Sequence, residues 1–137
     1  MPDMKRRGSG IRLFPVAIAL ALMFALYLVA TLPAQTPPPS LPPAATGWIS
    51  WSLLNNILHV PAYLLLAWVL YFCVNGKTNP TTAVLIAVMI ATAYGGLMEL
   101  MQISVPGRYA SLGDMVLNAL GATAGAMLAA RRALRTA

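Results

Sequence analysis

Charged side chains are scarce in this chain of 137 residues: they make up 9% of it, against roughly 25% in ordinary globular proteins. Only three of them are acidic, while hydrophobic residues reach 59%. So few charges cannot cover the surface of a soluble domain, which predicts a protein embedded in lipid. The single cysteine, Cys73, excludes an internal disulfide framework. No basic face with interleaved aromatic residues is present, so we expect no nucleic acid partner.

Long apolar runs predict an all-α fold, an integral membrane bundle of four transmembrane helices. About 20 apolar residues are needed to cross the hydrocarbon layer of a bilayer. No segment alternates apolar and polar residues over the ~10 positions of a membrane β-strand. The predicted spans are residues 13–32, 51–74, 82–105 and 112–130.

The chain divides into five segments by composition. They are a basic amino-terminal segment (1–12), the first helix (13–32), a proline-rich outer loop (33–50), a three-helix region (51–130) and a basic tail (131–137). The clustered prolines of the loop favour an extended connector. An alternative interpretation makes residues 1–34 a cleaved signal peptide, although the apolar run is long for one.

Basic residues predict the orientation of the bundle. The amino-terminal segment, the link around Lys77 and the tail hold four, one and three Lys or Arg, whereas the other two links hold only Arg108. The positive-inside rule then places both termini in the cytoplasm. We therefore expect a multi-pass protein of the inner (cytoplasmic) membrane.

In this orientation, the polar residues of the last three spans gather in the outer leaflet. An unpaired carboxylate in hydrocarbon costs at least ~2.5 kcal/mol, so Glu99 and Asp114 need partners. Arg108 can pair with one of them or reach an anionic lipid headgroup, and His59 can pair with the other. The candidate catalytic residues are His59, Glu99, Arg108 and Asp114, and the candidate binding residues are Tyr63, Gln102, Ser111 and Asn118.

Several chemistries fit these residue types. His59 or Glu99 would act as general acid or base, with Asp114 orienting its partner. Ser111, His59 and Asp114 have the composition of a nucleophilic triad, but composition alone is weak support. His59, Glu99 and Asp114 are also suitable zinc ligands. Because none of these ligands form a closely spaced pair in the sequence, we predict no metal and no other cofactor.

Two glycines on the fourth helix, Gly121 and Gly125, form a pattern that lets helices approach closely. We expect them to serve helix packing, either within the bundle or against a partner protein. The sequence does not predict an oligomeric state.

The same residues carry a family resemblance. His59 and Tyr63, followed by the block ELMQISVPGRYASLGDMVLNALGATAG from Glu99 to Gly125, resemble the signature of the VanZ-like membrane protein family. The resemblance covers about residues 50–130 and implies a role in the bacterial cell envelope. Where the family usually has Asp-Lys, this chain has Asn55 and Asn56. Any chemistry that depends on the charges of that pair is therefore in doubt.

Two functions follow as hypotheses. The first is an outer-leaflet site that binds or modifies an envelope lipid or a lipid-linked precursor. The resemblance adds a link to antibiotic resistance through the glycopeptide teicoplanin. The alternative is a non-catalytic structural or partner-binding membrane protein, whose polar residues only hold the helix bundle together. A transporter fits less well, because the sequence has no row of charged residues that would cross both leaflets.

Overall fold

Regular structure in the described part of the chain consists of four α-helices. The computed structural model describes residues 13–33 and 51–136, with side chains from Ile57 onward in the second range. The basic segment 1–12, nearly all of the proline-rich loop and the side chains of Asn55 and Asn56 lie outside the described residues. The helices are α1 (Leu13–Thr31), α2 (Trp51–Val74), α3 (Pro80–Gln102) and α4 (Leu112–Arg135).

All four helices are long and apolar enough to cross a membrane, counting α2 from Ile57. This confirms the predicted all-α membrane bundle. Small side chains form much of its interior, where Ala87 and Ala91 of α3 and Ala122 and Ala126 of α4 are fully buried. Larger apolar side chains such as Leu85 point outward. That distribution is typical of membrane bundles, in which small residues let the helices come together and lipid solvates the outer surface.

The ends of α3 follow from local chemistry. The Asn79 side chain caps its first turn by accepting a hydrogen bond from the Thr82 amide at 2.8 Å, and Pro80 occupies the first turn, where no amide donor is needed. The helix ends at Gln102, earlier than the predicted residue 105. Val105 precedes Pro106, whose ring disfavours helical backbone at the residue before it. The chain instead turns through tighter hydrogen bonds, such as Val105 amide to Gln102 carbonyl.

Helix α4 continues beyond the predicted residue 130 to Arg135. The predicted basic tail is therefore mostly helical. Ala, Leu and Arg are strong helix formers, and nothing in residues 131–135 breaks the helix. Arg132 and Arg135 lie in the last turn, where a positive charge interacts favourably with the helix dipole.

Helix α1 packs on α2 and α3. The Tyr94 hydroxyl of α3 donates a hydrogen bond to the Met23 carbonyl in the middle of α1. Arg108, in the link between α3 and α4, donates to the Leu32 and Val29 carbonyls at the carboxyl end of α1. These contacts hold the carboxyl end of α1 beside the α3–α4 link.

Candidate functional site

The candidate residues meet at one end of the bundle. This end combines the carboxyl ends of α1 and α3 with the amino ends of α2 and α4, as the hydrogen bonds between these elements show. Four of the candidates are buried polar residues, with relative exposures of 1% for Glu99, 6% for Gln102, 6% for Asp114 and 1% for Asn118. The structure therefore buries side chains that hydrocarbon alone would not tolerate.

Glycines on α4 set the distance between α4 and α2. A Cβ atom on Gly125 would overlap the Leu64 carbonyl oxygen and lie 2.7 Å from the carbonyl carbon. A Cβ on Gly121 would similarly overlap the Val60 carbonyl oxygen and lie 3.1 Å from the Val60 Cα. The obstacles are backbone atoms, which cannot move aside as side chains do. The two glycines thus pack against α2 within the same chain and bring Asn118, one turn earlier, next to His59.

His59 and Asn118 join α2 to α4. The Nδ1 atom of His59 lies 2.7 Å from Oδ1 of Asn118. An amide oxygen only accepts hydrogen bonds, so Nδ1 of His59 is the donor in this contact. The imidazole also stacks on Tyr63 of the next turn, with ring centroids 6.2 Å apart and planes at 9°. Both partners restrict the orientation of the histidine ring.

Glu99 of α3 bonds to the start of α4. Its Oε2 accepts a hydrogen bond from the Ser111 amide at 2.9 Å. The other oxygen, Oε1, is buried without a hydrogen-bond partner among the described residues. An unsatisfied carboxylate oxygen in the interior is costly, so this atom is a candidate for binding a group that the chain itself does not provide.

Asp114 lies in the first turn of α4. Ser111 is the N-cap of this helix, and its hydroxyl accepts a hydrogen bond from the Asp114 amide at 3.2 Å. A carboxylate in the first turn interacts favourably with the positive end of the helix dipole. Its Oδ1 is nevertheless buried and has no partner in the part of the chain that is described. Ser111 therefore has a capping role, and the hydrogen bond seen for the His59 ring goes to Asn118 rather than to Ser111.

Three helices bring His59, Glu99 and Asp114 together. One potential ligand atom from each residue lies within 4.8 Å of the other two. We call these three residues the three-helix cluster. A lack of closely spaced ligands in the sequence does not exclude a metal from a site whose ligands come from three different helices.

Arg108 departs from one expectation. The arginine does not pair with a carboxylate in the described part of the chain. Its Nε donates a hydrogen bond to the Leu32 carbonyl at 2.8 Å, and a terminal nitrogen donates one to the Val29 carbonyl at 3.1 Å. The last carbonyls of a helix lack intrahelical partners, which makes the end of α1 a good acceptor for a cation. Two of the five N–H groups of the guanidinium are used in this way, and the other three have no acceptor among the described residues.

A cavity of about 110 Å³ lies between α1, α2 and α3 beside this cluster. Cavities of ~150 Å³ in other proteins hold a benzene molecule, so this one has room for a small group or a chain segment rather than a whole lipid. Apolar residues such as Val29 and Met98 form much of the wall. The polar lining consists of His59, Tyr63, Gln102 and Arg108.

Comparison with known proteins identifies the family of this chain. A family model described as VanZ/LLP1 matches residues 17–134. The chain belongs to the VanZ/LLP1 family. The match confirms the resemblance found in the sequence and extends it through most of α1. No curated protein and no solved structure matches the chain.

In this VanZ/LLP1 protein, the residues of the family signature occupy three places. Glu99, Asp114 and Asn118 form the buried centre with the half-buried His59, which lines the cavity together with Tyr63, Gln102 and Arg108. Gly121 and Gly125 form the contact between α2 and α4. The Asn55–Asn56 pair, at which the sequence departs from the family, lies outside the described side chains.

Sequence reasoning missed two contributors to the site of this VanZ/LLP1 protein. Gly95 of α3 leaves space for Asn118, since a Cβ there would lie 2.8 Å from the amide nitrogen of Asn118 and 3.0 Å from the Tyr63 ring. The Gly95–Gly96 pair within an apolar helix is a signal of close packing that could have found it. The capping role of Ser111 is similarly visible in the pattern of a serine three residues before Asp114 and an apolar run.

Proposed function

We propose that this protein binds an anionic amphiphile of the bacterial cell envelope, a membrane lipid or a lipid-linked precursor, at the cavity beside His59. One observation carries the proposal: an apolar cavity between the helices has Arg108 in its lining. Ligand sites typically combine apolar walls with a few convergent polar groups. An amphiphile matches both features, with its chain against the apolar wall and its headgroup at the arginine.

Arg108 supports an anionic headgroup in particular. Its two hydrogen bonds to α1 fix the guanidinium in place, and the remaining donors suit the oxygens of a phosphate. Preorganisation of this kind reduces the entropy lost on binding. Gln102 and Tyr63, which also line the cavity, add donors and acceptors for the polar part of the ligand.

We propose further that the site faces the outer side of the cytoplasmic membrane. The basic residues of the amino-terminal segment, the Lys77 link and the tail support this orientation. The cavity is then reached from the outer leaflet, where lipid-linked precursors of the envelope are used. The link to teicoplanin susceptibility would follow from binding such a precursor. Catalytic roles for His59, Glu99 and Asp114 stay predictions.

The alternative, a site that only holds the helices together, accounts for part of the structure. The bonds from His59 to Asn118 and from Ser111 to Glu99 do connect helices. However, if these residues served only as structural contacts, we would expect all of their buried oxygens to be hydrogen-bonded. Glu99 and Asp114 each have one buried carboxylate oxygen without a hydrogen-bond partner among the described residues. Docking of a partner protein through Gly121 and Gly125 is also disfavoured, because α2 of the same chain already packs on them.

Complementation of a deletion strain tests the proposed function. We expect the wild-type chain to restore the lipid and cell-wall precursor profile and the teicoplanin susceptibility of the parent strain. Arg108→Ala should fail to restore them, since it removes the proposed headgroup contact. Arg132→Ala is the matched control, because it removes an exposed arginine at the opposite end of α4. If Arg108→Ala restores the profile while Gly121→Leu does not, packing matters and binding by Arg108 does not.

A further inference from the structure

The three-helix cluster places two buried carboxyl groups beside a single imidazole. Glu99 and Asp114 are both buried and lie close to each other and to one imidazole. Arg108, the nearest arginine in the sequence, is bonded to the carbonyls of α1. Two carboxylates in such a place are expected to repel each other and to be poorly solvated. A bound cation would remove both penalties.

The unpartnered oxygens point to the same kind of ligand. Oε1 of Glu99 and Oδ1 of Asp114 are buried and have no hydrogen-bond partner in the described part of the chain. Their residues are 1% and 6% exposed, so bulk solvent does not reach these oxygens. Buried acceptors without donors are rare in folded proteins and require an explanation, such as an ion.

The surroundings of the cluster orient its members as a metal site requires. A histidine that ligates a metal through one ring nitrogen usually donates its other N–H to an oxygen, as Nδ1 of His59 does to Asn118. Ligating carboxylates are also usually hydrogen-bonded, as Oε2 of Glu99 is by the Ser111 amide. A neutral ring that donates through Nδ1 has its lone pair on Nε2, which together with one oxygen of each carboxylate makes three ligand atoms.

We propose that His59, Glu99 and Asp114 form a binding site for one divalent transition-metal ion of the zinc class. Imidazole and carboxylate are ligands that Zn²⁺ prefers, and its charge balances that of two carboxylates. Atoms that bind the same zinc ion at ~2.0–2.2 Å lie at most ~4.4 Å apart, close to the 4.8 Å limit in the structure. Small side-chain rotations would be enough to bring the three ligands to that spacing.

Three protein ligands leave a coordination position open, which is typical of catalytic rather than structural zinc sites. Of the three proposed ligands, His59 lines the cavity, so the ion would lie beside the space proposed for the headgroup. The inference deepens the proposed function and rests on the same cavity. Metal binding itself, however, is measured without any amphiphile.

Metal binding is tested on the full chain, purified in detergent without a polyhistidine tag and stripped with a chelator. We expect the wild-type protein to bind one Zn²⁺ per chain and its unfolding temperature to rise on zinc addition. The Glu99→Gln, Asp114→Asn double variant should bind zinc more than about 100-fold more weakly. Cys73→Ala is the control for binding to the thiol and should bind zinc as the wild type does, because Cys73 lies about 20 Å along α2 from His59.

Stability without metal separates an ion site from structural contacts. The metal-free double variant should be at least as stable as the metal-free wild type, since it lacks the repulsion between carboxylates. Should the double variant be less stable in the absence of zinc, the carboxylates hold the helices together and the inference is wrong. Unchanged zinc affinity in the double variant, or no zinc binding by the wild type, would also overturn it.

A spectroscopic readout keeps the test decisive even if the double variant does not fold. His59 is the only histidine of the chain, so the imidazole ¹⁵N resonances of the wild type report on this site alone. We expect zinc to shift the Nε2 resonance while Nδ1 stays protonated. Unshifted resonances at saturating zinc would contradict the assignment. Loss of zinc binding with retained binding of anionic lipid would exclude the metal site and leave the proposed function standing.

Discussion

Gly125→Ala is expected to destabilise the bundle by about 3 kcal/mol, the upper end of the usual cost of overpacking a core. The added methyl group would overlap the Leu64 carbonyl oxygen and lie 2.9 Å from the Leu64 Cα. Only separation of α2 from α4 relieves this overlap. Alanine stabilises a helix interior by about 1 kcal/mol relative to glycine, so the steric cost exceeds this gain in helix propensity.

Gly96→Ala is the matched control for this prediction. The nearest atom to a Cβ at Gly96 is the terminal methyl carbon of Met115 at 3.4 Å, which can move aside. We expect Gly96→Ala to be neutral or slightly stabilising. The free energy of unfolding, measured by denaturant titration in detergent micelles with helical circular dichroism as the signal, provides the comparison. Equal stability of the two variants would mean that α2 and α4 are not in backbone contact at Gly125.

Asn118→Ala is expected to destabilise the protein by about 2 kcal/mol. The variant loses the hydrogen bond to His59 and leaves the imidazole N–H without its acceptor in the interior, at a cost of about 1–3 kcal/mol. Interhelical hydrogen bonds in membrane proteins are often weaker, with coupling energies of about 0.6 kcal/mol on average and up to about 1.7. The burial of Asn118, which is 1% exposed, places this bond at the upper end.

A double-mutant cycle between Asn118→Ala and His59→Ala measures the bond itself. We expect a coupling energy of about 1–1.7 kcal/mol. Asn75→Ala is the control, because Asn75 accepts only a long, 3.3 Å hydrogen bond from Tyr71 near the opposite end of α2. That substitution should cost less than about 1 kcal/mol. A coupling energy near zero would show that His59 and Asn118 do not interact.

The sequence was sufficient to predict the fold. Runs of about 20 apolar residues bounded by polar or proline-containing links identify membrane helices, because the bilayer thickness sets their length. The helix ends were less predictable. Gln102 ends α3 early because the proline at 106 acts on the preceding backbone, whereas α4 runs on to Arg135 because no residue after 130 stops it.

The candidate site was predictable only in part. Spacings of three and four residues showed which polar side chains share a face of one helix. They did not show which faces meet, since that depends on packing. The contact of Gly121 and Gly125 with α2 and the space left by Gly95 set the position of Asn118. For the same reason, no spacing in the sequence indicated that Arg108 would bond to the end of α1.

Whether an anionic amphiphile binds at Arg108 is tested most directly by native mass spectrometry of the intact protein released from detergent. We expect the wild-type chain to retain one phosphatidylglycerol in preference to phosphatidylcholine, and Arg132→Gln to behave in the same way. Arg108→Gln should lose this preference, since it removes the charge that lines the cavity. Equal retention of phosphatidylglycerol by all three proteins would contradict the proposed headgroup site.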